Sequence, residues 1–253
     1  MRIQAKSPAR KGSSGALMAP QQAARALRFP GRYLGAALFL FCAAAFPQVA
    51  EKANEGYKTK EGRDSVAKGL VGPDREARQK PREIIDAMGL KVGNAVADVG
   101  TGVGFMLPYL SHAVGDTGQV YGEDIQTDFI DQARSRAQLE RLNNVKFILG
   151  SDRDPKLPAA TMSAVLILDV YHHFDYPEVM LEHIRDSLLS DGRLVIVEFY
   201  KRRGAMGNGD RALEHIRLDQ DDLVKEVEAN GFRLVSKRDL NPNSQYIVVF
   251  QKK

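Results

Sequence analysis

The ten residues VADVGTGVGF, Val96 to Phe105, restrict what this chain can fold into more than any other stretch. Ala95, Val96, Ala97 and Val99 read as a short buried strand interrupted by one acid, Asp98. Gly100, Gly102 and Gly104 then alternate with Thr101 and Val103 in a tight loop, and Phe105, Met106, Leu107 and Leu110 open a helical pattern. Strand, glycine loop and helix in that order bring bare backbone N–H groups and a helix N-terminus to the strand's carboxyl end, where a small polar ligand is received.

The rest of the chain repeats the alternation. Pro81 opens a helix that turns Ile84, Ile85 and Met88 inward and ends near Gly89. A second strand, Gln119 to Ile125, precedes a helix with Phe129, Ile130, Ala133 and Ala137 on one face. Strands follow at Val145–Gly150, at Ala164–Leu168 and, after a helix opened by Pro177, at Arg193–Glu198. Ala164 to Leu168 is apolar without a break, as the middle of a parallel sheet requires. Past a helix at Asp221–Asn230, the strands Phe232–Lys237 and Tyr246–Gln251 have only the turn Asn241-Pro242-Asn243 between them, so they pair antiparallel or stand apart. The expected fold is α/β, a doubly wound, mostly parallel seven-stranded sheet ending in a C-terminal antiparallel β-hairpin.

Charge separates that body from its N-terminus. The chain has 36 Lys and Arg against 32 Asp and Glu, but residues 1–50 hold seven of the basic residues and no acid. The remainder carries 29 against 32, close to −3, so the basic excess is no nucleic-acid footprint and no nucleic-acid partner is expected. Tyr33 to Phe46 is a 14-residue apolar run preceded by Arg25, Arg28 and Arg32. It is shorter than the roughly 20 residues of a spanning helix but suits a signal-peptide core, with Ala43 and Ala45 placed for cleavage. The expectation is a signal or anchor-like leader over 1–50, giving export or membrane association through 33–46, with a cytoplasmic location if that segment is not functional. An organelle transit peptide is the other reading of an arginine-rich, acid-free leader. The lone Cys42 excludes an internal disulfide and any C-x-x-C site. Residues 51–80, charged and broken by four glycines, read as an arm that partly covers the site, with Tyr57, Arg75 and Arg78 in reach of it. The folded domain spans 81–253.

The glycine spacing decides between two cofactor classes. A dinucleotide fingerprint, G-x-G-x-x-G, needs its third glycine at the position held here by Phe105. Asp98, two residues before the first glycine, repels a pyrophosphate but suits an ammonium group. A second acid ends the next strand, and Asp124 there accepts both hydroxyls of a ribose. A cofactor with an ammonium, a sulfonium, a ribose and no phosphate satisfies these groups: S-adenosylmethionine. Glu123 beside Asp124 leaves the ribose acid open between the two, with Asp124 preferred because neighbours on a strand point to opposite faces.

With these motifs in order the chain resembles the class I S-adenosylmethionine-dependent methyltransferases. The stretch 96–105 resembles that family's first motif, and VYGEDIQTDFIDQAR (120–134) its strand, acid and helix. FILGSDRDPKLPAATMSAVLILDVYHHF (147–174) is similar to its adenine loop and fourth strand, LLSDGRLVIVEF (188–199) to its fifth-strand motif, and GFRLVSKRDL (231–240) with SQYIVVFQKK (244–253) to its reversed last strands. The resemblance covers Pro81 to Lys253. It implies a Rossmann-like methyltransferase fold and a cofactor site with Asp98, Gly100 and Gly102 at the methionyl end, Asp124 at the ribose and Ser151 and Asp152 near the adenine, with Thr101, Gly104, Ile125 and Asp169 also at the cofactor. The adenine loop is longer than the family's usual version.

Candidates for chemistry lie in Tyr171, His172 and His173, just after that strand, where a histidine can act as general base; the other reading is that both rings brace loops or cover the adenosine. His215 and Arg217 either face the acceptor or lie on a surface helix. No metal site is expected, since adjacent histidines at a strand end point apart. The function expected is methyl transfer from S-adenosylmethionine to a small-molecule acceptor. A binding-only protein and, less favoured, a nicotinamide oxidoreductase are the alternatives. The oligomeric state is not legible.

Overall fold

The computed structural model describes residues 49–253. All of the leader 1–50 except Val49 and Ala50 therefore lies outside the described residues. Among those described, no helix is long and apolar enough to cross a membrane.

The arm contributes α1 (Lys60–Leu70) and α2 (Arg75–Gln79), and α3 (Pro81–Met88) follows at once. Pro81 sits in the first turn of α3, where its missing N–H costs nothing, and Gly89 closes the helix in the left-handed region at φ 64°. Strand β1 (Ala95–Val99) leads through the glycine loop to α4 (Leu107–Val114), and β2 (Gln119–Asp124) leads to α5 (Thr127–Leu139). Then come β3 (Val145–Leu149), β4 (Met162–Leu168), α6 (Pro177–Ser187), β5 (Leu188–Phe199), α7 (Arg211–His215), α8 (Gln220–Ala229), β6 (Phe232–Asn241) and β7 (Gln245–Lys252). The seven strands lie in one sheet in the order β3-β2-β1-β4-β5-β7-β6. Its first five strands are parallel, and β7 runs antiparallel to both β5 and β6. The expected fold is the one observed. The hairpin strands are longer than the sequence suggested because pairing with β5 and with each other carries β6 to Asn241.

Alternation along β1 feeds two cores. Val96 joins Ile84, Leu107, Leu110 and Ala133 from α3, α4 and α5, while Ala97 and Val99 join Leu181, Ile184, Leu223 and Val227 from α6 and α8. Helices thus cover both faces of a sheet whose central strands are apolar on both sides. Phe105, at the third glycine position of a dinucleotide fingerprint, is buried in the α3–α5 core with the Arg75 guanidinium 4.8 Å from its ring centre. Strand order reverses between β1 and β4, and a crevice opens at their carboxyl ends, as open α/β sheets provide.

Candidate functional site

That crevice is a cleft of about 320 Å³. Its floor is the glycine loop, and its sides are the ends of β2 and β4 with the loop after β3. Gly100, Thr101, Gly102, Asp124, Ile125, Ser151, Asp152 and Asp169 all line it. Asp98 and Gly104 do not. Asp98 is 3% exposed behind the loop, where the Thr101 hydroxyl donates to its Oδ2 at 2.7 Å. Gly104 backs onto α4 and α5, where a Cβ would meet Leu107 and Ala133.

Glycine is required at the floor itself. Gly100 has φ 72°, and a Cβ there would stand 2.5 Å from Val170 Cγ1; Gly102 has φ 54°, and its Cβ would crowd Leu70 of α1 at 3.0 Å. The loop's N–H groups, however, are not bare. Gly102 donates to Asp124 Oδ2 at 2.9 Å, Gly100 to Glu123 Oε2 at 3.3 Å, Thr101 to the Glu123 carbonyl at 2.7 Å and Gly104 to the Thr101 carbonyl at 3.0 Å. The acids of β2 have drawn these donors inward, so the loop turns carboxylate oxygens toward a ligand and offers little to a pyrophosphate.

Asp124 also accepts from the Gln126 N–H at 2.9 Å, which fixes both of its oxygens while each keeps a lone pair free. Glu123 does not point away as simple alternation implies. The strand is ending, the side chain is long, and bare Gly150 leaves the room that a Cβ would take from Glu123 Oε1. That oxygen has no hydrogen-bond partner among the described residues, and Glu123 lines the same cleft. Burial pushes Asp98 and Asp124 each up to about 6, and burial with the Asp124 charge holds Glu123 well above the usual carboxylate range.

Asp169 is a non-glycine residue at φ 57°, a conformation that costs on the order of 1 kcal/mol or more. Gln79 Nε2 and Gln245 Nε2 hold its two oxygens at 2.6 Å each. Burial, then the charge of Glu198, pushes it up to about 6. The arm closes the cleft with Asn54, Tyr57, Lys58, Leu70 and Arg75. Of the arm residues expected near the site, Tyr57 and Arg75 line it, whereas Arg78 turns its carbonyl to Asn241 Nδ2.

The Tyr171–His173 segment separates into three environments. Tyr171 is buried away from the cleft, its hydroxyl donating to Glu226 Oε1 at 2.7 Å beside Arg217. His172 is 4% exposed, with Nδ1 2.7 Å from Glu198 Oε2. His173 lines the cleft, with Nδ1 2.8 Å from Asn54 Oδ1 and Nε2 3.4 Å from the Tyr57 hydroxyl. The two histidines do not point apart: a 3-10 turn over Tyr171–His173 replaces the extended backbone that would separate them, and their ring centres stand 4.0 Å apart. His215, at the end of α7, joins them at 4.9 Å from His172 and 5.3 Å from His173. Burial and neighbouring rings hold His173 well below its ordinary value and His215 down at about 4.

Asn54, Gln79, Glu198 and Gln245 were not legible as site residues, because each reaches the cleft or its lining residues from a distant part of the chain. Asn54 and His173, for example, are 119 positions apart. Glu198 alone had a local signal, as the acid that ends an otherwise apolar β5.

Comparison with known proteins agrees with this geometry. A model of the methyltransferase domain matches residues 97–196. A ubiquinone/menaquinone biosynthesis C-methyltransferase of Pseudomonas fluorescens is 28% identical over 160 residues, which are 63% of this chain and 62% of that protein. The chain thus spans about three-fifths of the length of the curated relatives that head the comparison. The crystal structure of a SAM-dependent methyltransferase from Aquifex aeolicus superposes with a TM-score of 0.69 at 26% identity, covering 75% of this chain and 98% of that one. The [4+2]-cyclase SpnF, at 15% identity and a TM-score of 0.59 over 70% of this chain and 80% of its own, shares the fold. Ordered motifs, strand order and relatives converge: residues 97–196 match the methyltransferase domain, and the chain is similar in sequence and fold to S-adenosylmethionine-dependent methyltransferases, whose cofactor is S-adenosylmethionine.

Proposed function

We propose that this protein transfers a methyl group from S-adenosylmethionine to a small-molecule acceptor. The observation that carries the reading is the set of carboxylates over the glycine loop, whose N–H groups are already engaged by the protein. Such a floor suits a cationic nucleoside without phosphate. S-adenosylmethionine, when bound, supplies a methyl group already activated on a sulfonium. The chain's own work is to hold donor and acceptor in line, which can supply about 7–11 kcal/mol of the barrier.

In this reading Asp124, pinned by Gly102 and Gln126, accepts the ribose hydroxyls, with the unpartnered oxygen of Glu123 beside it. Asp98, held by Thr101, sets the negative field for the ammonium. Gly100, Thr101, Gly102 and Asp169 shape the methionyl end, Gly104 lets the loop pack on α5, and Ile125, Ser151 and Asp152 bound the adenine. The arm over 51–80 excludes water through Tyr57 and Leu70. His173 is the ring placed to meet the acceptor, His172 its buried neighbour, and Tyr171 a packing residue beneath them. The relatives named as ubiquinone/menaquinone biosynthesis C-methyltransferases support a small-molecule acceptor, and carbon is one candidate for the methylated atom. The leader supports export or membrane anchoring, which fractionation of the native protein checks.

The test is incorporation of radiolabelled methyl into fractions of a metabolite extract. A labelled small molecule that disappears with Asp124→Ala supports transfer. Cofactor binding without label in any fraction leaves the binding-only reading and removes this one.

A further inference from the structure

One cluster in the fold is larger than methyl transfer needs. Three of the chain's five histidines, His172, His173 and His215, each present one ring nitrogen, and these nitrogens lie within 4.8 Å of one another. The three come from two separate elements, the turn after β4 and the end of α7.

The partners of the rings decide which nitrogens are free. Glu198 Oε2 faces His172 Nδ1 at 2.7 Å, and a carboxylate there places the proton on Nδ1 and leaves the Nε2 lone pair open. Asn54 donates from Nδ2 to the His173 carbonyl at 3.0 Å, which turns its Oδ1 to His173 Nδ1. His173 therefore also carries its proton on Nδ1 and keeps Nε2 as an acceptor, with the Tyr57 hydroxyl loosely placed at 3.4 Å. Both rings are oriented by an outer partner through Nδ1, as the imidazole ligands of zinc sites are. Glu198 is itself held: it is 1% exposed, and its oxygens accept the N–H groups of His172 at 3.2 Å and Phe199 at 2.7 Å.

We infer that His172, His173 and His215 form a three-imidazole site for a divalent transition-metal ion beside the cofactor cleft, with Glu198 and Asn54 as its positioning residues. Imidazole ligands suit zinc, nickel, copper or iron rather than magnesium or calcium. A tetrahedral zinc at about 2.0–2.1 Å from each nitrogen needs those nitrogens about 3.3 Å apart, so the rings close by about 1 to 1.5 Å on binding. Three protein ligands leave a fourth position for an exchangeable group, the pattern of zinc sites that take part in reactions. Because His173 also lines the cleft, that position borders the space where an acceptor enters. An acceptor with an ionisable oxygen or sulfur is the class it would hold. This use rests on the proposed methyl transfer; the binding of metal does not.

The experiment is a titration of the untagged full-length protein, first stripped with chelator, with Zn²⁺ by calorimetry and with Co²⁺ by visible absorption. S-adenosylhomocysteine binding is measured on the same samples. The expected result is one Zn²⁺ per chain and the intense visible bands of tetrahedral Co²⁺. His215→Ala should weaken Zn²⁺ at least a hundredfold, Glu198→Gln about 10–100-fold, and His183→Ala, on the surface of α6, not at all. Substoichiometric Zn²⁺, Co²⁺ bound without those bands, or unchanged Zn²⁺ affinity in His215→Ala overturns the site. Should His215→Ala lose S-adenosylhomocysteine binding through misfolding, the wild-type Co²⁺ spectrum and Glu198→Gln decide instead. Metal binding without S-adenosylhomocysteine binding would instead remove the cofactor reading and leave the metal site standing.

Discussion

The floor of the cleft and its far wall are built in opposite ways. The floor is local: Asp98 to Gly104 and Glu123 to Gln126 form two short runs at the ends of adjacent parallel strands, and the N–H groups of Gly100, Thr101 and Gly102 join one run to the other. The wall is collected from the arm, the turn after β4, the end of β5 and α7. A floor made of backbone conformation and the three acids Asp98, Glu123 and Asp124 suits, in the proposed reading, one invariant cofactor. A wall made of side chains from distant elements is free to fit a particular acceptor, and loops set on a rigid scaffold are where such fitting occurs. Changes in the floor should therefore act on cofactor affinity, and changes in the wall on everything else.

The largest effect expected is from Gly100→Val. The left-handed φ of 72° and a Cβ 2.5 Å from Val170 leave no room, and S-adenosylhomocysteine affinity measured by calorimetry should fall at least a hundredfold. Asp124→Ala comes next. It removes the acceptor for two backbone N–H groups as well as the ribose contact, and a loss of at least tenfold is expected in the same titration; affinity within twofold of wild type would remove Asp124 from the site.

Acidity separates floor from wall differently. Asp98 and Asp124 titrate near 6 in the folded chain, above their ordinary value near 3.8, so ionising them opposes folding. Asp169 and Glu123 act in the same sense and the depressed His173 and His215 against them, so with four acids opposed by two imidazoles the stability of the cofactor-free protein should rise as pH falls from 7 toward 4. Cofactor affinity should do the reverse, since the ammonium and ribose call for ionised acids. Protonating one acid of pKa 6 on going from pH 7 to pH 5 gives a loss of about tenfold. Thermal melts and titrations run in parallel across this range would show the two trends crossing; parallel trends would break the assignment. The smallest effect is expected from Asn54→Ala in the wall. Two hydrogen bonds to His173 go, worth about 1 kcal/mol each. Cofactor affinity should stay within about threefold while limited proteolysis of the arm speeds up.

What was legible follows the same division. Period, glycine spacing and strand-end acids are short-range signals, so the sheet, its hairpin, the floor and the cofactor class could be read from the residues. The engaged loop N–H groups could not be, because they depend on how β1 registers against β2. Neither could the histidine cluster: a 3-10 turn in place of extended backbone brings His172 against His173, and only tertiary packing adds His215. The place of Tyr171 was misjudged for the same reason, since that turn sends its ring into the core under α8.

The central claim is that the cleft takes a cationic nucleoside without phosphate. The most direct measurement is a calorimetric titration of the wild-type protein with S-adenosylmethionine and, separately, with NADH under the same conditions. The account predicts one molecule of S-adenosylmethionine bound per chain and no measurable heat from NADH. Saturable NADH binding with S-adenosylmethionine silent would contradict it.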